Sequence, residues 1–559
     1  MPHVLLDELE NCLQVFLDAF RFCCPLISLI PVALKFSLRT FRLIQHLSQT
    51  LLDCFFYKIL TLAFEISNYP GSTTTVTPLT DPLLFLSATA AAERIRKKTL
   101  RSVDLVSAYV RRTEEVDPQI NGISKENFDE ALANAAKVDV LVASSSAETL
   151  ERMFEEQPML GVPFTVTDNL AIAGSPVTMG CDRQIFCRND AEIVQKMKKA
   201  GGILLSVSRV SEAMLSERVG DAMKGFVKNP YDVRRMPGGS VALGTLISSG
   251  CTPLGIGADF NGALRRSASA NGIFAFTYSD EIHTVGQILR RGFQEKSFQS
   301  QLYDIGSMVR FYEDLFLCAK IFNPYPELKK MDAPIKVFYI EEFPSEVRCE
   351  QPSRKIRSRL REVIQMLEER HSLPTYRLAL RDLKHAFQIH KSTFEDFDDD
   401  VLADFVTKNR GDLGGARLYV ELLKSLFGIS RHNLSVIFAI FQKRLFQSEN
   451  HIYEVRREWF RRKLSVLLKR ENGVLISLSA PTTPRFQNYA LFSERNLVYT
   501  SLWSALALPT LQCPSGFDNH LPLGIQVSGS PGSEETILVV AGLIAKHFGG
   551  WIQPQLTPP

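Results

Sequence analysis

The stretch "PLGIGADFNGALRRSAS", Pro253 to Ser269, decides how the rest of the chain is read. Its first five residues, Pro253 to Gly257, predict a strand. Small residues then lead through Asp259 and Asn261-Gly262-Ala263 to Arg265-Arg266. A loop of this kind lets backbone N–H groups approach an anion or an acyl oxygen. A reactive side chain belongs beside it, and that position holds Ala263.

Working outward, "AEIVQKMKKAGGILLSVSRV" (Ala191 to Val210) reads as helix, Gly-Gly stop and apolar strand, a crossover unit of a parallel sheet. "MLGVPFTVTDN" (Met159 to Asn169) reads as a buried strand. Further strands are predicted at Ile273–Tyr278, Ile335–Ile340, Val474–Ser479, Thr510–Cys513 and Gly524–Ser528, with a closing helix at Glu534–Phe548. Upstream, helical patterns cover Leu84–Lys98, Val103–Val116 (entered through Ser102 as N-cap) and Asn127–Leu141, with "DPQINGIS" breaking the last two apart. About residues 350–471 are charged and read as a helical insertion.

Composition narrows the function classes. With 559 residues, 45% hydrophobic, there is ample core material, and a net charge of +3 argues against binding nucleic acid through bulk electrostatics. The basic patches at Arg94–Arg101, Arg354–Arg361 and Arg456–Lys469 read as solvated helix faces, with lipid-headgroup contact as the lesser alternative. The ten cysteines form no C-x-x-C pair, and the ten histidines no H-E-x-x-H, so neither metal nor disulfide framework is predicted, and no cofactor. Gly255 and Gly257 lack the third glycine of a dinucleotide loop.

Residues 1–66 differ from the rest. "VFLDAFRFCCPLISLIPVALKF" (Val15 to Phe36) has an uncharged core of thirteen residues, Phe22 to Leu34. As a helix that core covers ~20 Å of a ~30 Å hydrocarbon layer. Phe36 to Phe64 is apolar and aromatic, with Arg39, Arg42 and Lys58 spaced through it, which suits an interfacial helix. A membrane-associating segment over residues 1–66 is expected, spanning or lying flat, followed by a polar linker over 67–80 and one domain over 81–559. The protein is expected to be intracellular and membrane-associated.

Three loops carry a resemblance: "GVPFTV.DN" from Gly161, "NPYD..R.PGGS" from Asn229, and "PLGIGAD..G..R" from Pro253. "PT.P" (Pro481–Pro484), "LPT.QCP.G" (Leu508–Gly516) and "LPLGIQV.G" (Leu521–Gly529) add to it. In this order they resemble the amidase signature family, most of all its membrane-bound fatty-acid amide hydrolase branch, over about Asp81 to Trp551. The resemblance implies an α/β domain with a mixed, largely parallel central sheet flanked by helices, plus the N-terminal hydrophobic helical segment. It also implies a triad in which a serine attacks an amide or ester carbonyl, a second serine after a cis peptide bond relays the proton, and a neutral lysine acts as base.

Carried over, the lysine position is Thr167, the relay serine Val241 and the nucleophile Ala263. The oxyanion loop is Phe260, Asn261 and Gly262, and the retained scaffold is Asp168, Gly238, Gly239, Ser240, Asp259 and Arg265. Threonine is no base near pH 7, valine relays no proton and alanine cannot attack. Three readings stay open: an inactive amidase-fold protein binding a lipid-like acyl amide, a structural partner of an active homologue, and a hydrolase with a rebuilt nucleophile. For the last, Ser240, Ser267, Ser269 and Cys251 are candidates, with Lys224 as base.

Overall fold

Leu254–Phe260 is a strand with all seven residues buried, near the middle of an eleven-stranded sheet. This computed structural model describes residues 74–555 except 182–183, 222–224, 279–302, 323–333, 396–415, 427–429, 431, 435, 438–450, 488 and 490–493. The chain forms two compact units, 1–72 with 441–448, and 73–440 with 449–559. The first unit, which contains the expected membrane segment, lies outside the described residues, as does Lys224.

The sheet strands in chain order are β1 (Ile123–Glu126), β2 (Pro163–Thr167), β3 (Ile203–Ser208), β4 (Leu254–Phe260), β5 (Phe274–Thr277), β6 (Tyr303–Val309), β7 (Lys336–Tyr339), β8 (Thr375–Arg377), β9 (Gly473–Leu478), β10 (Thr510–Asp518) and β11 (Leu521–Ser528). Their spatial order is β1-β3-β2-β4-β6-β5-β10-β11-β9-β7-β8. The expected crossover is present: β2 and β3 pair in parallel, Pro163 against Ile203, joined through the helix Glu192–Lys199. β2 also pairs in parallel with β4, Val166 against Ile256, which brings Thr167 beside the start of the decisive loop.

The sheet is mixed, but it is not largely parallel. Four pairings are parallel, β2–β3, β2–β4, β7–β9 and β7–β8, and six are antiparallel. Two causes are visible. β6, which the sequence reading did not anticipate, inserts antiparallel between β4 and β5. β10 and β11 form a hairpin closed at Asn519, φ +55°, and a short reversal permits only antiparallel pairing.

Local departures have local reasons. Ser102 is the first helical residue, not the cap: its hydroxyl donates to the Gly161 carbonyl at 2.7 Å, while Asp139 accepts from the Ser102 and Val103 amides at 2.6 and 3.0 Å. That helix, Ser102–Ile120, runs through Pro118 and ends only at Asn121, whose φ of +58° is left-handed. The pattern at Leu84–Lys98 divides into a 3-10 turn, Pro82–Phe85, and a helix, Ala88–Arg96, capped by Ser87. The 350–471 region holds helices, Arg354–His371 and His451–Arg470 among them, yet also gives the sheet its edge strand β8.

Candidate functional site

β4 runs directly into the loop. Asn261 (φ +55°) and Gly262 (φ +79°) are both left-handed, and the helix Ala263–Ala270 begins at once. A Cβ on Gly262 would lie 2.4 Å from the Thr500 Cβ, so space and backbone conformation both demand glycine. Every residue of the helix is buried, because strands and loops cover it all round. An ordinary amphipathic helix would leave one face wet.

The turn is pinned by Asp259. Its Oδ1 accepts from the Leu264 amide at 2.6 Å, and its Oδ2 from Arg265 Nε at 2.9 Å. Arg265 continues to Gln526 Oε1 at 2.9 Å and to the Ser504 hydroxyl. A buried ion pair survives when hydrogen bonds compensate both charges, as they do here. Asp259 and Arg265 thus act on the loop's shape. The Leu264 amide, next after Ala263, is committed to a carboxylate.

The "PGGS" segment packs on the same turn. A Cβ on Gly239 would fall 2.3 Å from the Ala263 carbonyl oxygen, so backbone meets backbone there. Gly238 abuts the Ala270 side chain: a Cβ there would fall 2.1 Å from the Ala270 Cβ. Ser240 donates its hydroxyl to the Met214 carbonyl at 3.1 Å, and its own carbonyl accepts from the Ser211 amide at 2.8 Å. Val241 is fully buried, bridged to Val210, and its carbonyl accepts from Ser267 Oγ at 3.1 Å. All described peptide bonds are trans.

Thr167 closes the group. A Cβ on Gly257 would lie 2.7 Å from its Oγ1, so it sits directly against β4. Its hydroxyl donates to Asn169 Oδ1 at 2.5 Å, and Asn169 Nδ2 reaches the Ala258 carbonyl at 3.5 Å and Met214 Sδ at 3.7 Å. Through Asn169 and Met214, contacts run from Thr167 to Ser240, and through Gly239 to Ala263. Asp168 accepts from the Thr178 amide and hydroxyl and from Ser124 Oγ, a role in tying loops together.

Three of the four candidate nucleophiles are occupied or suppressed. Ser240 and Ser267 both donate to carbonyls, as above. Cys251 is buried, and burial pushes its thiol up to about 12, so no thiolate forms at neutral pH. Ser269 lines a cleft beyond the far end of the helix, together with Gly238, Arg266, Ala270 and the Pro481–Pro484 and Pro522–Ile525 segments; Glu217, Arg359 and Arg485 give it charged edges. Ala263 is not part of its wall.

The structure brings in residues that sequence reasoning missed. Arg266 donates to the Asn261 carbonyl at 3.1 Å and to Thr500 Oγ1 at 3.3 Å, with its Nε 3.3 Å from Glu217. His390, from the helix Ala386–Glu395, lies within the field of Arg266; burial first, then that charge, drives its pKa down to about 3 and keeps the imidazole neutral. His432 Nδ1 meets Glu212 Oε1 at 2.5 Å, two residues before Met214. Nothing in local sequence signals either histidine, because both come from the 350–471 region. Among the described residues no cluster fit for a metal occurs.

A strand-to-helix turn of this build, faced by a Gly-Gly-Ser segment and a second parallel strand, defines the amidase signature class, and the chain belongs to that family. The family profile described as Amidase matches residues 104–538. Fatty-acid amide hydrolase 2 of Homo sapiens is 31% identical over 498 residues, covering 85% of this chain and 92% of its own. Fatty-acid amide hydrolase 2-A of Danio rerio is 31% identical over 497 residues, 86% and 92%. A solved structure titled "Fatty acid amide hydrolase" superposes with a TM-score of 0.65 at 17% identity, over 89% of each chain.

Proposed function

We propose that this protein is a catalytically inactive member of the amidase family, held at a membrane through its N-terminal segment, whose retained role is to bind a lipid-like acyl amide or to pair with an active homologue. The observation that carries this reading is Ala263. The loop, its left-handed turn and the Asp259–Arg265 brace are all kept, and at their focus stands a methyl group. Thr167 strengthens the reading, since its hydroxyl is engaged by Asn169 and no amine stands there to take a proton. The membrane part rests on the apolar length of Val15 to Phe64, and deleting residues 1–66 should move the protein into the soluble fraction.

The second reading, a hydrolase with a rebuilt nucleophile, draws support from relatives whose names include hydrolase and which this chain matches over 92% of their length. Treatment with a fluorophosphonate, followed by intact-protein mass spectrometry, separates the two. The expected outcome is no adduct. An adduct mapped to Ser240, Ser267 or Ser269 would establish the second reading instead.

A further inference from the structure

The helix His451–Arg470 turns Phe460, Leu464 and Leu468 into the core. Its opposite face carries Ile452, Val455, Trp459 and Val466, each 55 to 63% exposed. Their spacing of three, four and seven residues sets them in one stripe along the helix. Singly exposed apolar residues need no explanation, but a stripe of four containing a tryptophan does.

The same face is basic. Arg456, Arg462, Lys463, Lys469 and Arg470 are all exposed and interleave with the stripe. The helix holds seven arginines and lysines against two glutamates, Glu454 and Glu458. Some charge is met locally: Glu458 takes Arg461 and Arg462, Asp382 lies 3.4 Å from Lys463, Glu471 takes Arg470, and Arg456 reaches His385. Seven cations against Glu454, Glu458, Asp382 and Glu471 leave an excess of three positive charges (7 − 4 = 3). Lys463 Nζ lies 4.8 Å above the Trp459 ring, so ammonium and indole share one level.

A protein-binding face gathers apolar residues at its centre and depletes lysine there. Here cations and apolar groups alternate along the whole helix, which at 1.5 Å per residue runs about 30 Å. Long basic side chains on such a helix can reach phosphates while the apolar stripe enters the headgroup boundary. We propose that this face docks on an anionic lipid surface, a second membrane contact within the amidase domain itself. It stands independently of the loss of catalysis and of the N-terminal segment.

The N-terminal segment could hold the chain on any vesicle, so binding alone is not the readout. The readout is Trp459, the exposed one of three tryptophans; Trp503 is fully buried and Trp551 packs against Phe85 and Phe311. Full-length protein is mixed with vesicles of phosphatidylcholine, with or without phosphatidylserine, containing brominated acyl chains. Quenching of Trp459 emission is expected only with phosphatidylserine. It should disappear in Trp459→Phe, and Arg462→Glu with Lys463→Glu should weaken the apparent affinity of the quenching by about thirtyfold or more, at about fivefold per cation lost. No quenching with anionic vesicles, equal quenching without phosphatidylserine, quenching that persists in Trp459→Phe, or shielding of Trp459 by self-association would each overturn the proposal.

Discussion

Arg265 donates through Nε to Asp259 Oδ2 at 2.9 Å, with neither side chain exposed to solvent. The pair joins the last turn of β4 to the helix that starts at Ala263, and Gln526 and Ser504 complete the guanidinium's bonds. The brace holds the loop in shape around Ala263, and that makes it a contributor to stability.

Removing one partner should therefore be costly. Arg265→Met leaves Asp259 ionised and buried beside a single amide donor, and such uncompensated charges cost about 3–5 kcal/mol. Chemical denaturation should show a lowered midpoint with little change in slope. A midpoint within error of the parent would mean that the loop is held by its packing alone.

Asn261 points the other way. It is left-handed at φ +55°, and its buried Nδ2 has no hydrogen-bond partner among the described residues. Asn261→Gly removes the strain and the orphaned donor together. The unpaired group costs about 1–3 kcal/mol, and added freedom in the unfolded chain returns up to about 1 kcal/mol of that. A net gain in stability is expected, measured as a raised midpoint; a loss would show that the asparagine side chain is bound by something else in the folded state.

Asp314 supplies a pH dependence. It accepts from the Ala88 amide at 3.0 Å and from the Thr89 amide and hydroxyl at 2.9 and 2.8 Å, at the start of the helix Ala88–Arg96. Burial nonetheless raises its pKa from 3.8 to about 6. A carboxyl raised on folding favours the native state when protonated, so this contribution is full below about pH 4 and is lost as pH rises through about 6. The swing is on the order of 2–3 kcal/mol. Relative to Asp314→Asn, the parent should lose stability between pH 4 and 6.5 or so; parallel pH profiles would remove Asp314 from the account.

Eight strands and the closing helix were legible, because each carries its own apolar run between Gly, Pro or Asn punctuation. β6 was not: "YDIGSMV" mixes Asp304, Gly306 and Ser307 into the strand, and its place is fixed by its neighbours β4 and β5. β8, three residues at the sheet's edge, offers no period to read. Of the site, the residues on β2, β4 and the Gly-Gly-Ser segment could be named in advance because short motifs carry them. His390, His432 and the cross-connections of Arg266 could not, since they depend on where the 350–471 region lands on the core.

Purified protein should show no hydrolysis of fatty-acid amides or esters above the uncatalysed rate. Ala263→Ser should not change this, because nothing near would take the new hydroxyl's proton: Thr167 is held by Asn169, and Ser240 donates to the Met214 carbonyl. Members of a catalytic set act as a unit, so one member restored among several absent recovers almost none of the rate. Adding Thr167→Lys supplies a base but places a long amine where Thr167 already touches Gly257 and is fully buried. The combined Thr167→Lys, Val241→Ser and Ala263→Ser variant should therefore turn over weakly, and further Asn261→Gly should raise its rate by freeing the loop amides to point at an oxyanion. The comparison uses one fluorogenic acyl amide across the series, with fluorophosphonate labelling as the second readout. Turnover by the unmodified protein that Ser240→Ala abolishes would refute the inactive reading and identify the nucleophile.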